Sequence, residues 1–306
     1  MTRRNSGKSL RDKILKGIKD PRAAAYYLRN TLPNSIASRF KKPGFVGIPE
    51  NRSESEFGDY VSFVAKAATD ADTFSKFKSH RRYRAVLEHV SPEQGSEYLA
   101  VIEEQSPDFF DRFDLFKIND LIGAPITHLY SGVGEFSPTT LRYVKVASDL
   151  RKYFGSDIGK KIAEIGVGYG GQLLVNDQVF KVTEHHLYDL PPVLDLVERY
   201  LEAHILNCSY KTMTLNRNSA DERYDLAISN YAFSELPSQL QCKYIEKILT
   251  KSSRGYLTMN SGRQGSAFGG NKLSLDDLRL KLPPFEVFEE VPLTAANNYI
   301  IVWGHR

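Results

Sequence analysis

Cysteine is scarce in this chain, and long apolar runs are missing. The 306 residues contain two cysteines, Cys208 and Cys242, which are too few for a disulfide framework and lack the paired spacing of a zinc site. No stretch of about 18 apolar residues could span a bilayer, and no apolar run follows the basic start as in a secretory signal. These absences predict a soluble, cytoplasmic protein.

The remaining composition is that of a folded protein. Hydrophobic residues make up 41% and charged residues 25%, which excludes disordered and collagen-like classes for the bulk of the chain. At about 150 residues per domain, the length predicts two domains or one domain with an extension. We expect a basic arm over residues 1–42, a mostly helical cap or substrate region over 43–150, and a cofactor domain over 151–306.

The basic arm concentrates the positive charge. It holds twelve Lys or Arg against two acids, while the net charge of the whole chain is only +4, so the remainder is acidic. Apolar residues recur at helical spacing over residues 9–19, which predicts an amphipathic basic helix. This helix would lie on an anionic membrane at the inner membrane face, or dock on the chain's own acidic body. We expect no specific nucleic-acid partner.

After a linker near residues 42–49, helical patterns cover residues 60–68 and 83–90. Phe109, Phe110, Phe113 and Phe116 form an aromatic stripe at helical spacing. Such a stripe is more typical of packing than of a ligand pocket.

From residue 160 onward, short apolar runs alternate with amphipathic segments. Strands are predicted over residues 161–166, 186–189, 210–214, 224–229, 254–260, 286–291 and 299–303, and helices over 171–180, 192–204, 238–250 and 274–281. This alternation predicts an α/β fold with a doubly wound, Rossmann-like sheet. The last two strands are joined by too few residues for a crossover helix, so they form an antiparallel hairpin.

A glycine-rich turn over residues 163–172 follows the first strand of this domain. Glycines there allow the backbone to approach a nucleotide-like cofactor, and the amides of the next helix face it. Gly166, Gly168 and Gly171 satisfy the Gly-x-Gly-x-x-Gly spacing, so a dinucleotide must be considered.

Glu164 precedes the first of these glycines and argues against a dinucleotide. A carboxylate there would repel a pyrophosphate, but it could hold an ammonium group directly or through water. S-adenosylmethionine offers such a group and carries no phosphate. The C-terminal hairpin also suits the seven-stranded methyltransferase sheet better than an all-parallel dinucleotide fold.

Asp189 ends the second strand of the domain, eighteen residues after Gly171. At that edge of the sheet, a carboxylate can accept hydrogen bonds from both ribose hydroxyls of an adenosine. Alternatively, Asp189 caps the helix that begins at Pro191 or Pro192.

The loop after the fourth strand provides the catalytic candidates. Asn230 and Tyr231 should lie near the cofactor, and Glu235 near the substrate, where it is the first candidate for a general base. Glu235 could instead stand in the first turn of a helix. His128 is the second candidate base, although a lone histidine is usually structural. We predict no metal, because neighbouring strand residues such as His185 and His186 point to opposite faces.

The segment over residues 132–143 leaves two interpretations open. It could cover the crevice, with Arg142 binding a carboxylate and Tyr143 stacking on a sugar or adenine. Alternatively, Thr139 and Thr140 cap a helix that continues to residue 153 and leaves Arg142 on its surface.

Over residues 105–305 the chain resembles the sugar O-methyltransferase family found with polysaccharide-biosynthesis genes, within the class I S-adenosylmethionine-dependent methyltransferases. The resemblance rests on residues 137–143, 164–172, 188–191, 229–236 and 255–260. It implies a methyl donor bound by Glu164, Gly166, Gly168 and Asp189. The full set predicted to bind this donor also includes Tyr169, Gly170, Gly171, Gln172, Leu190, Asn230 and Tyr231.

The sequence therefore predicts a methyltransferase that uses S-adenosyl-L-methionine to O-methylate a sugar or glycan precursor. Two alternatives stay open. One is an NAD-dependent oxidoreductase, and the other is a non-catalytic membrane- or nucleic-acid-binding protein on a methyltransferase-like scaffold.

Overall fold

The structure, a computed structural model, describes residues 60–217, 222–260 and 272–305. The basic arm, its helix over residues 9–19 and the linker near 42–49 lie outside the described residues. The described residues belong to one compact unit. Among them, no helix has both the length and the apolar character needed to cross a membrane.

The first described region is built from short helices and one hairpin. Its helices are α1 (Tyr60–Thr69), α2 (Ala71–Ser75), α3 (Arg81–Arg84), α4 (Pro92–Gln105) and α5 (Phe113–Phe116), with 3₁₀ turns at Pro107–Arg112 and Lys117–Asp120. Strands β1 (His128–Tyr130) and β2 (Gly134–Phe136) pair antiparallel. The prediction of a mostly helical region therefore missed this hairpin.

The helix predicted over residues 83–90 is wrong beyond Arg84. Ser91 caps α4 by accepting from the Gln94 amide, and Pro92 occupies the first turn of that helix. Because a residue before proline is driven out of the helical region, a helix cannot run through residue 91. Residues 85–90 instead form turns that bring Leu87 against the second region.

The second region is an α/β layer structure. After α6 (Pro138–Phe154), its elements in chain order are β3 (Lys161–Ile165), α7 (Gly171–Val179), β4 (Glu184–Tyr188), α8 (Pro191–Glu202), β5 (Ser209–Met213), β6 (Tyr224–Asn230), α9 (Ala232–Glu235), α10 (Ser238–Lys247), β7 (Ser252–Met259), α11 (Leu275–Lys281), β8 (Glu286–Glu289) and β9 (Tyr299–Trp303). Short 3₁₀ turns lie at Leu215–Arg217 and Leu249–Lys251.

Within the described residues, a seven-stranded sheet has the order β5-β4-β3-β6-β7-β9-β8. Strands β3 to β7 pair parallel, while β9 pairs antiparallel with both β7 and β8. The predicted α/β class, the seven strands and the C-terminal antiparallel hairpin are confirmed.

Each face of the sheet packs on its own apolar layer, because successive strand residues point to opposite sides. Ile162 and Ile300 belong to the layer shared with α1, α6 and α8, while Ala163 and Ile301 belong to the layer shared with α10 and α11. The helical region thus contributes to the core on one face only. This places it over the same side of the sheet as α6.

Helix α6 begins differently from the prediction. Ser137 is its N-cap and accepts from the Thr140 amide at 3.2 Å, so Thr139 and Thr140 are not the caps. Both threonines are buried inside the first turn. The helix ends at Gly155, whose φ of 82° suits glycine.

The aromatic stripe packs as predicted. Phe109, Phe113 and Phe116 are buried, and Phe113 meets Phe136 of β2 edge-to-face with ring centres 5.5 Å apart. The stripe therefore belongs to the core and ties the hairpin to α5.

Two ion pairs on α6 differ in burial. Lys145 and Asp149 are both buried and lie 2.7 Å apart, and the Tyr256 hydroxyl donates to the same Asp149 oxygen at 2.6 Å. Arg151 pairs with the exposed Asp108. The buried pair links the helix to β7, and removing its acid would leave an uncompensated buried cation.

We therefore expect Asp149→Ala to lower the free energy of unfolding by about 3–5 kcal/mol, measured by urea denaturation. Asp108→Ala is the matched control, because it removes the acid of an exposed pair on the same helix and should cost about 1 kcal/mol or less. Equal effects of the two substitutions would contradict the role of Asp149.

Candidate functional site

The carboxyl ends of β3, β4 and β6 converge at one edge of the sheet. Parallel pairing sets Glu164 of β3 opposite Leu187 of β4 and Ile228 of β6. Glu164, Asp189 and Asn230 therefore come to the same edge, although they are up to 66 residues apart in the chain. This is the crevice where a doubly wound sheet binds its ligands.

The glycine-rich turn lies at the centre of this edge. Gly166 has φ of 74°, and a Cβ on it would lie 1.9 Å from the Cβ of Ala232. Gly168 has φ of 58°, and its missing Cβ would lie 3.1 Å from Leu87. Glycine is required at both positions because of this backbone conformation and these close approaches.

Glu164 places a carboxyl group behind the turn. The side chain is 2% exposed, and its Oε2 has no hydrogen-bond partner among the described residues. Burial, together with the nearby Asp189 charge, raises the pKa of Glu164 to about 8. A buried carboxyl without a partner is costly, and a cationic group is the ligand that would relieve it.

Asp189 ties the glycine turn to the end of β4. Its Oδ2 accepts from the Val167 amide at 2.9 Å, and its Oδ1 accepts from the Leu190 amide at 2.7 Å. Burial raises the pKa of Asp189 to about 6, although these backbone amides act in the opposite direction. The alternative that Asp189 caps the next helix is wrong, because Leu190 is the N-cap of α8 and no side chain caps it.

Asn230 and Gln172 face each other across the crevice. The Asn230 amide donates to Gln172 Oε1 at 3.4 Å, and Gln172 in turn donates to the Tyr143 carbonyl at 3.1 Å. Asn230 Oδ1 is buried without a partner. The edge thus holds a second unsatisfied acceptor besides Glu164.

At three predicted cofactor residues the side chain, or the Cβ that a glycine lacks, points into the core. The Tyr169 ring is fully buried, and its hydroxyl accepts from Asn119 at 3.1 Å. A Cβ on Gly171 would lie 2.5 Å from Tyr143, and one on Gly170 would lie 3.2 Å from Leu201. These positions serve packing, so donor contacts from the three residues would come from the backbone.

The helical region covers the glycine turn. Leu87 lies against Gly168, and the buried Tyr60 of α1 lies close enough to Asp189 for the carboxylate to help raise the Tyr60 pKa, after burial. Arg199 of α8 holds α1 in place by donating to the carbonyls of Ala67 and Ala68 at 3.1 and 3.0 Å. No local sequence signal marks these contacts, since they join segments more than 80 residues apart.

Arg142 is buried, at 8% exposure, so the interpretation that left it on the surface of a helix is wrong. Its Nη2 donates to the Leu87 carbonyl at 3.4 Å, and its Nε has no partner. The guanidinium lies 5.6 Å from the Tyr143 ring. Arg142 therefore lies beside the residue that covers the glycine turn.

The two candidate bases occupy different surroundings. Glu235 ends α9 and accepts from Asn260 Nδ2 at 2.8 Å. His128 begins β1 and lines a cavity of about 330 Å³ together with Glu88 and Lys78. Glu235 is not among the residues that line this cavity, so the two candidates do not share it.

Tyr231 is held by a residue that sequence reasoning missed. It has φ of 67°, and its hydroxyl donates to the buried Glu290 between β8 and β9. Glu290 also accepts from the Thr294 hydroxyl at 2.7 Å and from Asn298 at 3.0 Å. The only sequence signal is an acid near the hairpin turn, 59 residues from its partner.

The adjacent histidines are both buried in β4. His186 Nδ1 lies 3.1 Å from the Tyr224 hydroxyl, and its Nε2 lies 3.3 Å from Glu184, whereas neither ring nitrogen of His185 has a partner. In the described part of the chain, no cluster of three or more His, Cys, Asp or Glu could hold a metal ion.

No protein-family model and no curated protein sequence matches this chain. Among solved structures, LepI in complex with SAM is 12% identical over 52% of this chain and 46% of that chain, with a TM-score of 0.36. The chain thus spans less than half of LepI. An S-adenosylmethionine-dependent methyltransferase from Clostridium acetobutylicum is 8% identical over 53% of this chain and 88% of that chain, with a TM-score of 0.40. An rRNA methylase from Streptococcus thermophilus is 16% identical over 53% of this chain and 95% of that chain, with a TM-score of 0.37. Likenesses this weak show neither an activity nor a ligand for this chain.

The raised pKa of Glu164 makes stability depend on pH. Between its ordinary value near 4.5 and about 8, the folded protein keeps a proton that the unfolded chain loses, so the free energy of unfolding falls as pH rises through this window. Glu164→Gln removes this titration. We expect the free energy of unfolding of the variant to rise relative to the parent between about pH 5 and 8, measured by urea denaturation. If the free energies of unfolding of the two proteins change with pH in parallel, the burial of an unpaired carboxyl is contradicted.

Proposed function

We propose that this protein is an S-adenosylmethionine-dependent methyltransferase that methylates a hydroxyl group of a sugar or glycan precursor. The observation that carries the proposal is the buried, unpartnered Glu164 carboxyl behind a glycine turn. A ligand that brings a positive charge but no phosphate to this position satisfies the carboxylate.

The residues present fit this donor at two points. Glu164 would take the ammonium group, and Asp189 would take the ribose hydroxyls with the lone pairs that its two backbone hydrogen bonds leave open. When bound, the donor supplies a methyl group on a positively charged sulfur. The protein then has to align this methyl group with an acceptor oxygen and exclude water.

The same two carboxyl groups disfavour the NAD alternative. Glu164 and Asp189 lie close enough for one charge to raise the pKa of the other. The ammonium group of a sulfonium donor would favour the ionised form of Glu164 and compensate its charge, whereas a pyrophosphate would bring only negative charge to this buried position. This difference is the physical reason for preferring a sulfonium donor.

A hydroxyl acceptor needs its proton removed as the methyl group arrives. We assign this role to Glu235, which follows β6 on α9 and is held by Asn260, with His128 as the second candidate. The sugar class rests on the sequence resemblance alone.

The donor assignment is tested by calorimetric titration with S-adenosylhomocysteine and, in parallel, with NAD. We expect binding of S-adenosylhomocysteine alone, weakened about 10- to 100-fold in Asp189→Ala, since a charge-assisted hydrogen bond contributes about 1.5–3 kcal/mol. Asp195→Ala is the matched control, because this acid is exposed on α8 and its removal should leave the affinity unchanged.

Either of two results would overturn the proposal. Binding of NAD alone would make the protein an oxidoreductase. If neither ligand binds the folded protein, a non-catalytic scaffold is favoured, and the basic arm becomes the candidate binding region.

The base is tested with tritiated methyl donor and a panel of sugars. Once transfer is detected, Glu235→Gln should lower kcat at least about 100-fold, with S-adenosylhomocysteine affinity nearly unchanged, because the amide cannot accept the proton. An unchanged rate would remove Glu235 from the mechanism, and the same assay on His128→Gln would then test the second candidate.

A further inference from the structure

A polar cavity lies beside the segment that covers the glycine turn. It measures about 330 Å³, within the range of small-molecule sites. Its walls come from the turn after α3, the start of α4, β1 and the start of α6. The lining residues include Lys78, Arg84, Glu88, His128 and Thr139. The sequence did not predict this cavity, and it singled out only His128 among these five residues for a catalytic role.

Arg142 lies behind the α6 wall of this cavity. It follows Thr139 by three residues, so the two side chains lie on the same face of α6. The guanidinium interacts electrostatically with Glu88 and donates to the Leu87 carbonyl. It also lies near the hydroxyl groups of Tyr98 and Tyr231, and Tyr231 follows Asn230 at the sheet edge. Arg142 thus lies between the cavity and the donor crevice.

The cavity has an excess of unpaired positive charge. Within the described part of the chain, Lys78, Arg84 and Arg142 form no salt bridge. Lys78 is fully buried and donates to the Asn119 carbonyl and, at 3.3 Å, to the Tyr200 hydroxyl. Burial of such cations without an anion is unfavourable, so the arrangement is complementary to a ligand that brings one.

Glu88 is the acid among these lining residues, and it leaves the positive charge in excess. Its Oε1 is buried without a hydrogen-bond partner among the described residues, and burial raises the pKa of its carboxyl, while Lys78 and a hydrogen bond with Thr139 oppose this shift. Two lining cations, Lys78 and Arg84, accompany this one carboxyl group. The cavity therefore keeps a positive charge that an anionic ligand would compensate.

We propose that this cavity binds a carboxylate or phosphate group of the methyl acceptor, attracted by Arg84 at the rim and by Arg142 behind the α6 wall. The inference rests on the proposed function and narrows it to an acidic acceptor, such as a uronic acid or a sugar phosphate. Arg84 lines the cavity, and its planar guanidinium suits both groups because it can donate two parallel hydrogen bonds, whereas Arg142 does not line the cavity and acts through its charge. Leu87, which lies against Gly168 of the glycine turn, directly precedes the lining residue Glu88, so an acid held here is next to the segment that covers the turn.

The test is a calorimetric titration of the full chain, first loaded with S-adenosylhomocysteine. The probes are glucuronate, glucose 6-phosphate and uncharged glucose. We expect at least one of the two acidic sugars to bind about tenfold or more tightly than glucose, and the better of the two tells whether the anion is a carboxylate or a phosphate.

Variants then locate the contact. Arg142→Met and Arg84→Met should each reduce the preference for the acidic sugar severalfold or more. Arg151→Met is the matched control on α6, because Arg151 pairs with Asp108 away from the cavity lining, and it should leave the preference unchanged. If Arg142→Met does not fold, the variant of the exposed Arg84 and the comparison of sugars on the parent protein still test whether the cavity binds an acidic acceptor.

Failure of the inference differs from failure of the proposed function. Binding of S-adenosylhomocysteine together with equal affinities for glucose and both acidic sugars would overturn the acidic acceptor alone. A preference that persists undiminished in both arginine variants would overturn the assignment of the anion to this cavity. Absence of S-adenosylhomocysteine binding would overturn the proposed function itself.

Discussion

Parallel hydrogen bonding between β3, β4 and β6 is the constraint on which the rest of the site depends. It ends three strands at one edge, so Glu164, Asp189 and Asn230 meet there without any direct bond between them. The turn after β3 must then pass close to Ala232, which only glycine at position 166 permits. Asp189 completes the arrangement by holding the Val167 amide, so the turn is shaped before any ligand binds.

The donor crevice at the sheet edge and the cavity lined by Lys78, Arg84 and Glu88 differ in which buried polar groups lack a partner. At the sheet edge the unsatisfied groups are one carboxyl oxygen of Glu164 and the amide oxygen of Asn230. Near the cavity, the cations Lys78 and Arg142 are buried and form no ion pair with the described residues. Folding alone gains nothing from either set, because burying a charge without a partner is unfavourable. The opposite signs agree with the cationic donor and the acidic acceptor that we propose.

The helical region connects the donor crevice with the cavity. Leu87 touches the glycine turn through its side chain and Arg142 through its carbonyl group. Glu290, on the far side, holds the Tyr231 hydroxyl and so orders the other wall.

Local sequence pattern was sufficient for the sheet and for the chemistry at its edge, whereas the surroundings of that edge depend on packing between distant segments. Hydrophobic periodicity predicted the seven strands to within about two residues, and Glu164, the glycine turn and Asp189 are each adjacent to the strand that positions them. By contrast, the turns at Leu87, the burial of Arg142 and the bond from Tyr231 to Glu290 join segments 55 and 59 residues apart. Periodicity within one segment carries no information about which other segment will cover it, so these contacts could be known only from the folded chain.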